Sequence, residues 1–334
     1  MTRARRELVD INTTSYYHCI NRCVRRAFLC GEDHFSGRNY EHRKAWVVDR
    51  LAELASVFAV DVCAYAIMSN HYHLVLRIDQ QKARDWNEDQ IIDRWQRLFK
   101  LPVLVHRYRN QHTGHAESTI AQNIIEQWRE RLMDLSWYMR VLNEHLARRA
   151  NEEDDCKGRF WEGRYKSQAL LDEAAVLTCM SYVDLNPVRA GIAETPATSD
   201  FTSIQQRIAQ LRNENAEQEE SSENNSVPLM SLAMASDNQH MHDIRYSLHD
   251  YLDLVDWTGR IVRQGKRGII SETTPAIFHR LELNPEAFIS HMQGHQHKLN
   301  LPNALGRIKK MREYARKLGV IFIRGYKQSQ VLYR

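Results

Sequence analysis

Cysteine is scarce in this sequence, and long apolar runs are missing from it. The 334 residues include six cysteines, none in a Cys-x-x-Cys pair, so the sequence predicts reduced thiols rather than a disulfide framework. The longest apolar stretch, 54–68, is interrupted by Asp61 and is too short to cross a bilayer. The basic start, 1–6, runs into Glu7 without an apolar core. We therefore expect no membrane partner, no secretory signal and a cytoplasmic location.

Charge and composition leave the choice of partner open. With 43% hydrophobic and 26% charged residues the chain falls in the ordinary globular range, and its length allows one large domain or two smaller ones. The net charge of +4 permits an anionic partner without requiring one, since many enzymes that act on small molecules are equally basic. The function must be sought in local patterns.

The first part of the chain predicts a strand, a helix and a hairpin. Residues 15–24 are rich in aromatic and β-branched side chains, which is typical of a strand, and 40–58 carry apolar residues at helical spacing. Two further apolar runs, 60–68 and 71–78, are separated only by a Ser-Asn turn signal. So short a connection requires an antiparallel hairpin.

The following residues complete an alternating pattern. The chain is polar and irregular as far as 119, then 120–150 predicts two helices or a kinked one, and 158–171 predicts a fourth strand. Asp172 is a good N-cap for a last helix, which Pro187 should end near Asn186. The order β, α, β, β, α, β, α predicts an α+β fold with a ferredoxin-like antiparallel sheet (split βαβ) and helices mainly on one face.

Composition divides the chain into three regions. Residues 1–200 hold the predicted sheet and its helices. Residues 201–240 include a polar, acidic stretch with no apolar side chain larger than alanine, which predicts a linker. Residues 241–334 carry helical patterns punctuated by proline and glycine, which predict a smaller, basic, mostly α-helical C-terminal domain.

Two histidines stand two residues apart on the predicted third strand. Residues at this spacing face the same way, so His71 and His73 would present their imidazoles side by side, as a bidentate metal site requires. The opposite face, with Tyr72, Leu74 and Leu76, is apolar and should pack beneath helices. Two polar groups on a wet strand face would give the same pattern, so this pair alone does not establish a metal site.

A second pair lies on the last predicted helix of the sheet region. Tyr182 and Asn186 are four residues apart and would share one helix face. The amide oxygen of Asn186 is a hard metal ligand, and the hydroxyl of Tyr182 is a potential nucleophile. Each residue also has an ordinary explanation, as a boundary aromatic or as a helix C-cap before Pro187. The pair gains weight in combination with the two histidines.

Three segments together resemble the HUH single-tyrosine transposases, in particular the REP-associated tyrosine transposases. The segments are His71-Tyr72-His73 after an apolar strand, GRFWEGRYKS at 158–167 and SYVDLNPVRAG at 181–191. The resemblance extends over residues 15–192. It implies a metal-dependent transposase that cleaves and rejoins single-stranded or hairpin DNA, located in the cytoplasm at the bacterial nucleoid.

The resemblance also implies a role for each residue of the two pairs. His71, His73 and Asn186 would be the ligands of a divalent metal ion, Mg²⁺ or Mn²⁺, and Tyr182 would be the catalytic nucleophile. A tyrosine that attacks a phosphodiester keeps the energy of the broken bond in a 5′-phosphotyrosine ester. No nucleotide cofactor is then needed.

A single-stranded DNA substrate must be held by its phosphates and its bases, so Lys and Arg interleaved with aromatic residues are expected near the site. The candidates for DNA binding are Arg22, Arg25, Arg164 and Lys166, with Phe160 and Trp161 as neighbouring aromatic residues. Any one of these charges could equally be a solvated surface residue. The basic C-terminal domain could likewise be an accessory DNA-binding module or a scaffold.

Two further functions stay open at this point. The chain could be a hairpin-binding regulator without catalysis, or a metal-dependent hydrolase that uses His71 and His73 without a covalent intermediate. Tyr165 is a rival nucleophile, ranked below Tyr182 because a strand residue has no ligand partner one helical turn away. The sequence does not decide between a monomer and a homodimer that exchanges the Tyr182 helix.

Overall fold

A five-stranded sheet forms the centre of the protein. The computed structural model describes residues 9–24, 29–32, 37–215, 226–232, 246–264, 277–294 and 301–333. The strands are β1 (Tyr16–Arg22), β2 (Val60–Ile67), β3 (His71–Ile78), β4 (Lys166–Leu170) and β5 (Ala304–Leu305), in the spatial order β2-β3-β1-β4-β5. The predicted α+β class is confirmed, and β1 to β4 pair antiparallel in an order compatible with the predicted topology.

Two features of the sheet differ from the sequence prediction. Strand β5 pairs with β4 in parallel, so the sheet is mixed rather than purely antiparallel. Strand β4 is also shorter than predicted, because residues 162–165 bend out of the ladder, although Trp161 still bridges Cys23 just beyond β1. The chain turns shortly before this bridge. Gly158 there has φ 129°, a conformation that favours glycine, and the indole of Trp161 donates to the carbonyl of Asn143 on a helix.

One face of the sheet is covered by the helices that connect its strands. These are α1 (Arg43–Val57), α5 (His115–Leu132) and α6 (Leu135–Glu153). The apolar face of β3, with Tyr72, Leu74 and Leu76, is fully buried beneath them, as predicted. Arg43 is buried and forms ion pairs with Glu153 and Asp154, which fastens the start of α1 to the end of α6.

The opposite face carries a second helical layer, whereas the sequence predicted helices mainly on one face. It consists of α7 (Glu173–Asp184), α8 (Asn186–Arg189), α9 (Ser203–Asn215) and α10 (Leu248–Gln264). Helix α7 contacts the sheet on one side and α10 on the other. Its residues from Ala174 to Ser181 are therefore all buried. A helix that is apolar all round packs on every side. Asp172 caps its first turn by accepting from the backbone N–H of Ala175, as predicted.

The region after β3 was expected to be irregular, but it contains three short helices. They are α2 (Gln80–Asp85), α3 (Glu88–Gln96) and α4 (Val103–Arg109). Side chains of Asp79 and Asn87 cap the first two, and Gln90 completes a capping box with Asn87. Capping residues at this spacing mark helix starts even where apolar periodicity is weak, so this signal was available in the sequence.

The predicted linker, 201–240, is in part a packed segment. Helix α9 lies within it and buries Ile204 and Arg207, and Met230 donates a backbone hydrogen bond to Val62 of β2. The low hydrophobicity of 213–226 therefore does not extend to the ends of the predicted linker, where single apolar residues pack onto the sheet.

The C-terminal residues supply α11 (Ile277–Arg280), α12 (Pro285–Gln293), α13 (Ile308–Lys317) and α14 (Tyr326–Leu332). The sequence predicted helices in this region, but it did not predict the strand β5. Through β5 and α10 these residues pack against the same sheet and the same apolar cluster as α7. The division of the chain into domains stays a prediction. No helix in the described ranges is long and apolar enough to span a membrane.

A buried carboxylate joins α7 to its two neighbours. Asp184 accepts hydrogen bonds from the hydroxyls of Ser203 and Tyr251 and from the backbone N–H of Ile204. Burial raises the pKa of Asp184 to about 6, while its donors oppose that shift. Because the last turn of α7 carries both Asp184 and Tyr182, this carboxylate holds the helix end that presents the tyrosine.

Candidate active site

The register of three strands gathers the predicted polar residues on one face of the sheet. His71 is the direct partner of Arg22, and His73 is the partner of Ile20, which in turn pairs with Lys166. Directly paired residues project from the same face. The two histidines and two of the predicted DNA-binding residues therefore lie on the face that α7 covers, near the end of the sheet at which β3 begins.

A third histidine, which the sequence analysis missed, completes this face. The Nε2 atom of His18 lies 2.9 Å from Nδ1 of His73, and both side chains are buried. The two rings stack with centroids 5.2 Å apart, and His18 also forms a side-chain hydrogen bond with Gln168. Alternation along 15–24 puts His18 on the same face as Arg22, but only the strand register brings it to His73.

Burial keeps these imidazoles neutral. It lowers the pKa of His18 to about 4 and that of His71 to about 4, in the second case with a contribution from the Arg22 charge. The pKa of His73 lies well below its usual range, first through burial and then through the neighbouring His71 and His18 and the charge of Arg189. The neutral imidazole is the form that binds a metal ion.

The ring nitrogens of the His-x-His pair have defined partners. Nδ1 of His71 lies 2.7 Å from the side-chain oxygen of Asn70, and Nδ1 of His73 faces His18. A histidine that donates from Nδ1 carries its lone pair on Nε2. Such outer partners fix the tautomer and the ring orientation of metal-binding histidines.

Tyr182 lies over the histidine face. Its ring centroid is 5.9 Å from that of His73 and 6.2 Å from that of His18, both edge-on. Between Ser181 and Arg189 it is the one residue that is not buried. The structure therefore places the predicted nucleophile beside His73, one of the two predicted metal-binding histidines, and leaves it partly accessible.

Two further side chains contact the Tyr182 ring, and neither was predicted. The guanidinium carbon of Arg189 lies 4.1 Å from the ring centroid, and the ring of His291 on α12 lies 5.7 Å from it with a tilt of 33°. Arg189 falls within the 181–191 segment, so its position could have drawn attention. His291 is more than a hundred residues away, and no local pattern connects it to Tyr182.

The relation between Tyr182 and Asn186 differs from the prediction. Helix α7 ends at Asp184, and Asn186 begins the short helix α8, so the two residues do not share one continuous helix. Pro187 lacks the backbone N–H that would bond to the carbonyl of Val183, and its ring crowds that carbonyl, so the helix is interrupted before it. Asn186 is nonetheless buried, and its side-chain amide nitrogen has no hydrogen-bond partner.

These observations test whether the site suits a divalent metal ion. In the described part of the chain there is no cluster of three or more His, Cys, Asp or Glu residues suited to a metal. The predicted set contains two imidazoles and an amide instead, and its buried amide has an unpartnered polar atom. Flipping the side-chain amide of Asn186 exchanges the positions of its oxygen and nitrogen. The unpartnered position can therefore hold the oxygen, which is the atom that would bind a metal ion. The chemistry of these donors, two imidazoles and an amide, suits a divalent ion.

The predicted DNA-binding residues have different surroundings. Arg22 is half-exposed and lies 3.7 Å from Glu162, and Arg164 and Lys166 are exposed. Arg25 lies outside the described residues. The aromatic neighbours do not fit the prediction that they stack on bases. Phe160 and Trp161 are buried, because Trp161 packs edge-on against Tyr72 in the core.

The rival tyrosine lies on the wrong side of the sheet. Tyr165 is buried in the apolar cluster beneath α1 and α6, and its hydroxyl is 3.3 Å from that of Ser136. Tyr182 packs against the cluster on the opposite face, where His18 and His73 lie. The geometry favours Tyr182 over Tyr165 as the residue able to act with the histidines.

Comparison with known proteins gives a distant likeness. No protein-family model matches the chain, and no match was found among curated proteins. A similar solved structure is described as the structure of the REP associates tyrosine transposase bound to a REP hairpin. It is 13% identical to this chain with a TM-score of 0.37, and the match covers 63% of this chain and 87% of that one.

Proposed function

We propose that this protein cleaves and rejoins single-stranded, hairpin-bearing DNA through a covalent bond to Tyr182. The observation that carries the proposal is the placement of Tyr182 against His73 and His18, on the one sheet face that also holds His71. A partly accessible phenol beside neutral imidazoles is suited to nucleophilic attack at a metal-bound phosphodiester.

In the proposed reaction the Tyr182 oxygen forms a bond to the scissile phosphorus, and the bond from phosphorus to the 3′ oxygen breaks. The phenol loses its proton and the released 3′ oxygen gains one, so the step is a transesterification without water or a nucleotide. The positive charge of Arg189, 4.1 Å from the ring centroid, favours the negative charge that Tyr182 carries during attack. Rejoining is the reverse reaction with another 3′ hydroxyl.

His71, His73 and Asn186 would hold the metal ion, of the Mg²⁺ or Mn²⁺ type. When bound, such an ion polarises the phosphate and offsets the charge of the transition state. Because Nδ1 of each histidine lies at hydrogen-bond distance from Asn70 or His18, Nε2 is the nitrogen that each would offer to the ion. Burial of His73 and Asn186 excludes water from that side of the site.

Arg22 and Lys166 would contact the phosphates of the strand, since they project from the same face as the histidines and are accessible at its edge. The strand pairing supports this placement. We assign the sheet to the ferredoxin-like arrangement, because β1 and β2 lie on the two sides of β3 and both run antiparallel to it. Arg25, Arg164 and the basic helix α13 are further candidates for DNA contact. Association with the nucleoid would follow from DNA binding.

The test is incubation of the purified full chain with end-labelled hairpin DNA, drawn from repeats that flank the gene, in the presence of Mg²⁺ or Mn²⁺. A denaturing gel should reveal a protein–DNA adduct that disappears with EDTA and with Tyr182→Phe. Tyr165→Phe is the matched control and should form the adduct, since Tyr165 lies on the opposite face of the sheet.

The same gel separates the other functions. Hairpin binding without an adduct in either metal would instead support a regulator. Metal-dependent cleavage that survives in Tyr182→Phe would support a hydrolase without a covalent intermediate. Either result contradicts the proposal.

A further inference from the structure

The C-terminal residues reach the nucleophile itself. Helix α12 ends beside α7, where His291 contacts the Tyr182 ring and the next residue, Met292, accepts a hydrogen bond from Arg189. Arg189 is also the residue whose guanidinium lies over Tyr182. Two consecutive residues of α12 therefore touch the tyrosine and the cation that neighbours it.

The imidazole of His291 is held in place from a second C-terminal element. Its Nδ1 atom lies 2.5 Å from Nε2 of Gln328 on α14, so the ring has a side-chain partner that fixes its orientation. Helix α14 also contacts α12 and β5, which belongs to the central sheet. The ring that contacts Tyr182 is thus connected to the scaffold rather than extending freely into solvent.

The contact between Arg189 and Met292 has a physical basis in helix geometry. Met292 lies in the last turn of α12, where backbone carbonyls have no partner within the helix. The buried Nε of Arg189 satisfies one of them and takes a fixed direction from it. A guanidinium held at its Nε keeps its plane and its charge over the neighbouring aromatic ring.

We infer that His291, oriented by Gln328, is a positioning residue for Tyr182, and that helices α12 and α14 therefore form part of the active site. The inference rests on the proposed function of Tyr182. His291 restricts the rotation of the phenol ring and holds the hydroxyl in the direction of attack. Precise placement of a nucleophile affects the rate of the chemical step more than the affinity for substrate.

The experiment compares His291→Ala, His291→Phe and the control Ser290→Ala in the full chain. Ser290 is the exposed neighbour of His291 on the same helix. In single-turnover adduct formation at saturating hairpin DNA, His291→Ala should be slower by about 10- to 100-fold, the loss expected for a misplaced reacting group. His291→Phe keeps the ring that contacts Tyr182 but loses the Gln328 partner, so it should recover part of the rate, and Ser290→Ala should match wild type. Hairpin affinity and melting temperature should stay near wild type in all three.

A wild-type rate in His291→Ala would overturn the inference, as would His291→Phe being no faster than His291→Ala. A second readout does not depend on activity. With 3-fluorotyrosine at position 182 alone, the ¹⁹F signal should shift in His291→Ala and stay unchanged in Ser290→Ala. If wild type forms no adduct, the proposed function fails while this signal still tests the contact, and an unchanged signal in His291→Ala overturns it.

Discussion

The Nε2 atom of His18 on β1 lies 2.9 Å from Nδ1 of His73 on β3, on the buried face beneath the tyrosine helix. This bond predicts that His18 controls metal affinity without touching the metal. His18→Phe keeps the ring volume but removes the acceptor for His73, so Mn²⁺ should bind about 10- to 100-fold more weakly, as is typical when an outer partner is lost. Isothermal titration of the full chain with Mn²⁺ measures the change.

The control for this prediction is His18→Gln, whose side-chain oxygen can accept from His73 and should retain most of the affinity. Melting curves without metal exclude a folding defect. Equal Mn²⁺ affinity in His18→Phe and wild type would mean that His73 does not need this partner, and would count against a metal site at His73.

Arg22 and Lys166 should determine how binding to hairpin DNA depends on salt. Each Lys or Arg that contacts a phosphate contributes about one to the slope of log affinity against log salt concentration. The variant Arg22→Gln/Lys166→Gln should therefore bind more weakly at low salt and show a slope smaller by about two. Fluorescence anisotropy with a labelled hairpin at several salt concentrations gives the slope.

Lys82 provides the matched control for this pair. It lies on α2, which follows the far end of β3, and it neighbours Asp61 at 3.5 Å. Lys82→Gln should leave the slope unchanged. If it reduces the slope as much as the double variant does, DNA binding depends on overall charge rather than on the histidine face.

Asp184 should be required for the stability of the second helical layer. Asp184→Ala leaves the Ser203 and Tyr251 hydroxyls and the Ile204 N–H without their buried acceptor, at a cost of about 3 kcal/mol in the free energy of unfolding. Urea unfolding measures it. Asp200→Ala, which removes an exposed carboxylate bonded to Gln205, should cost under about 0.5 kcal/mol. A similar loss in both variants would contradict a special role for Asp184.

The sequence was informative wherever a signal is local. The hairpin ending in His71 to Ile78 and the Asp172 cap follow from alternation and capping. The expectation that Tyr182 acts with the histidines came from the resemblance of the motifs and not from spacing. The extra helices after β3 carried weaker capping signals. The end of the tyrosine helix was placed two residues late because Pro187 acts on more than its immediate neighbour.

Residues that depend on long-range packing could not be predicted. His18 meets His73 only through the pairing register of β1 and β3, and Phe160 and Trp161 are buried only because the chain before β4 folds onto α6. His291 reaches Tyr182 through the packing of α12 against the second helical layer. Such contacts join distant parts of the chain, and neither propensity nor periodicity carries information about them.

The most direct test of the central claim is to locate the covalent bond. The complex formed with hairpin DNA and Mn²⁺ is digested with nuclease and trypsin, and the peptides are identified by mass spectrometry. Cleavage after Lys166 and Arg189 releases residues 167–189, in which Tyr182 is the only tyrosine, whereas Tyr165 falls in a different peptide. The account predicts a nucleotide attached through its 5′ phosphate to 167–189. A nucleotide on any other peptide, or none in any peptide, would contradict it.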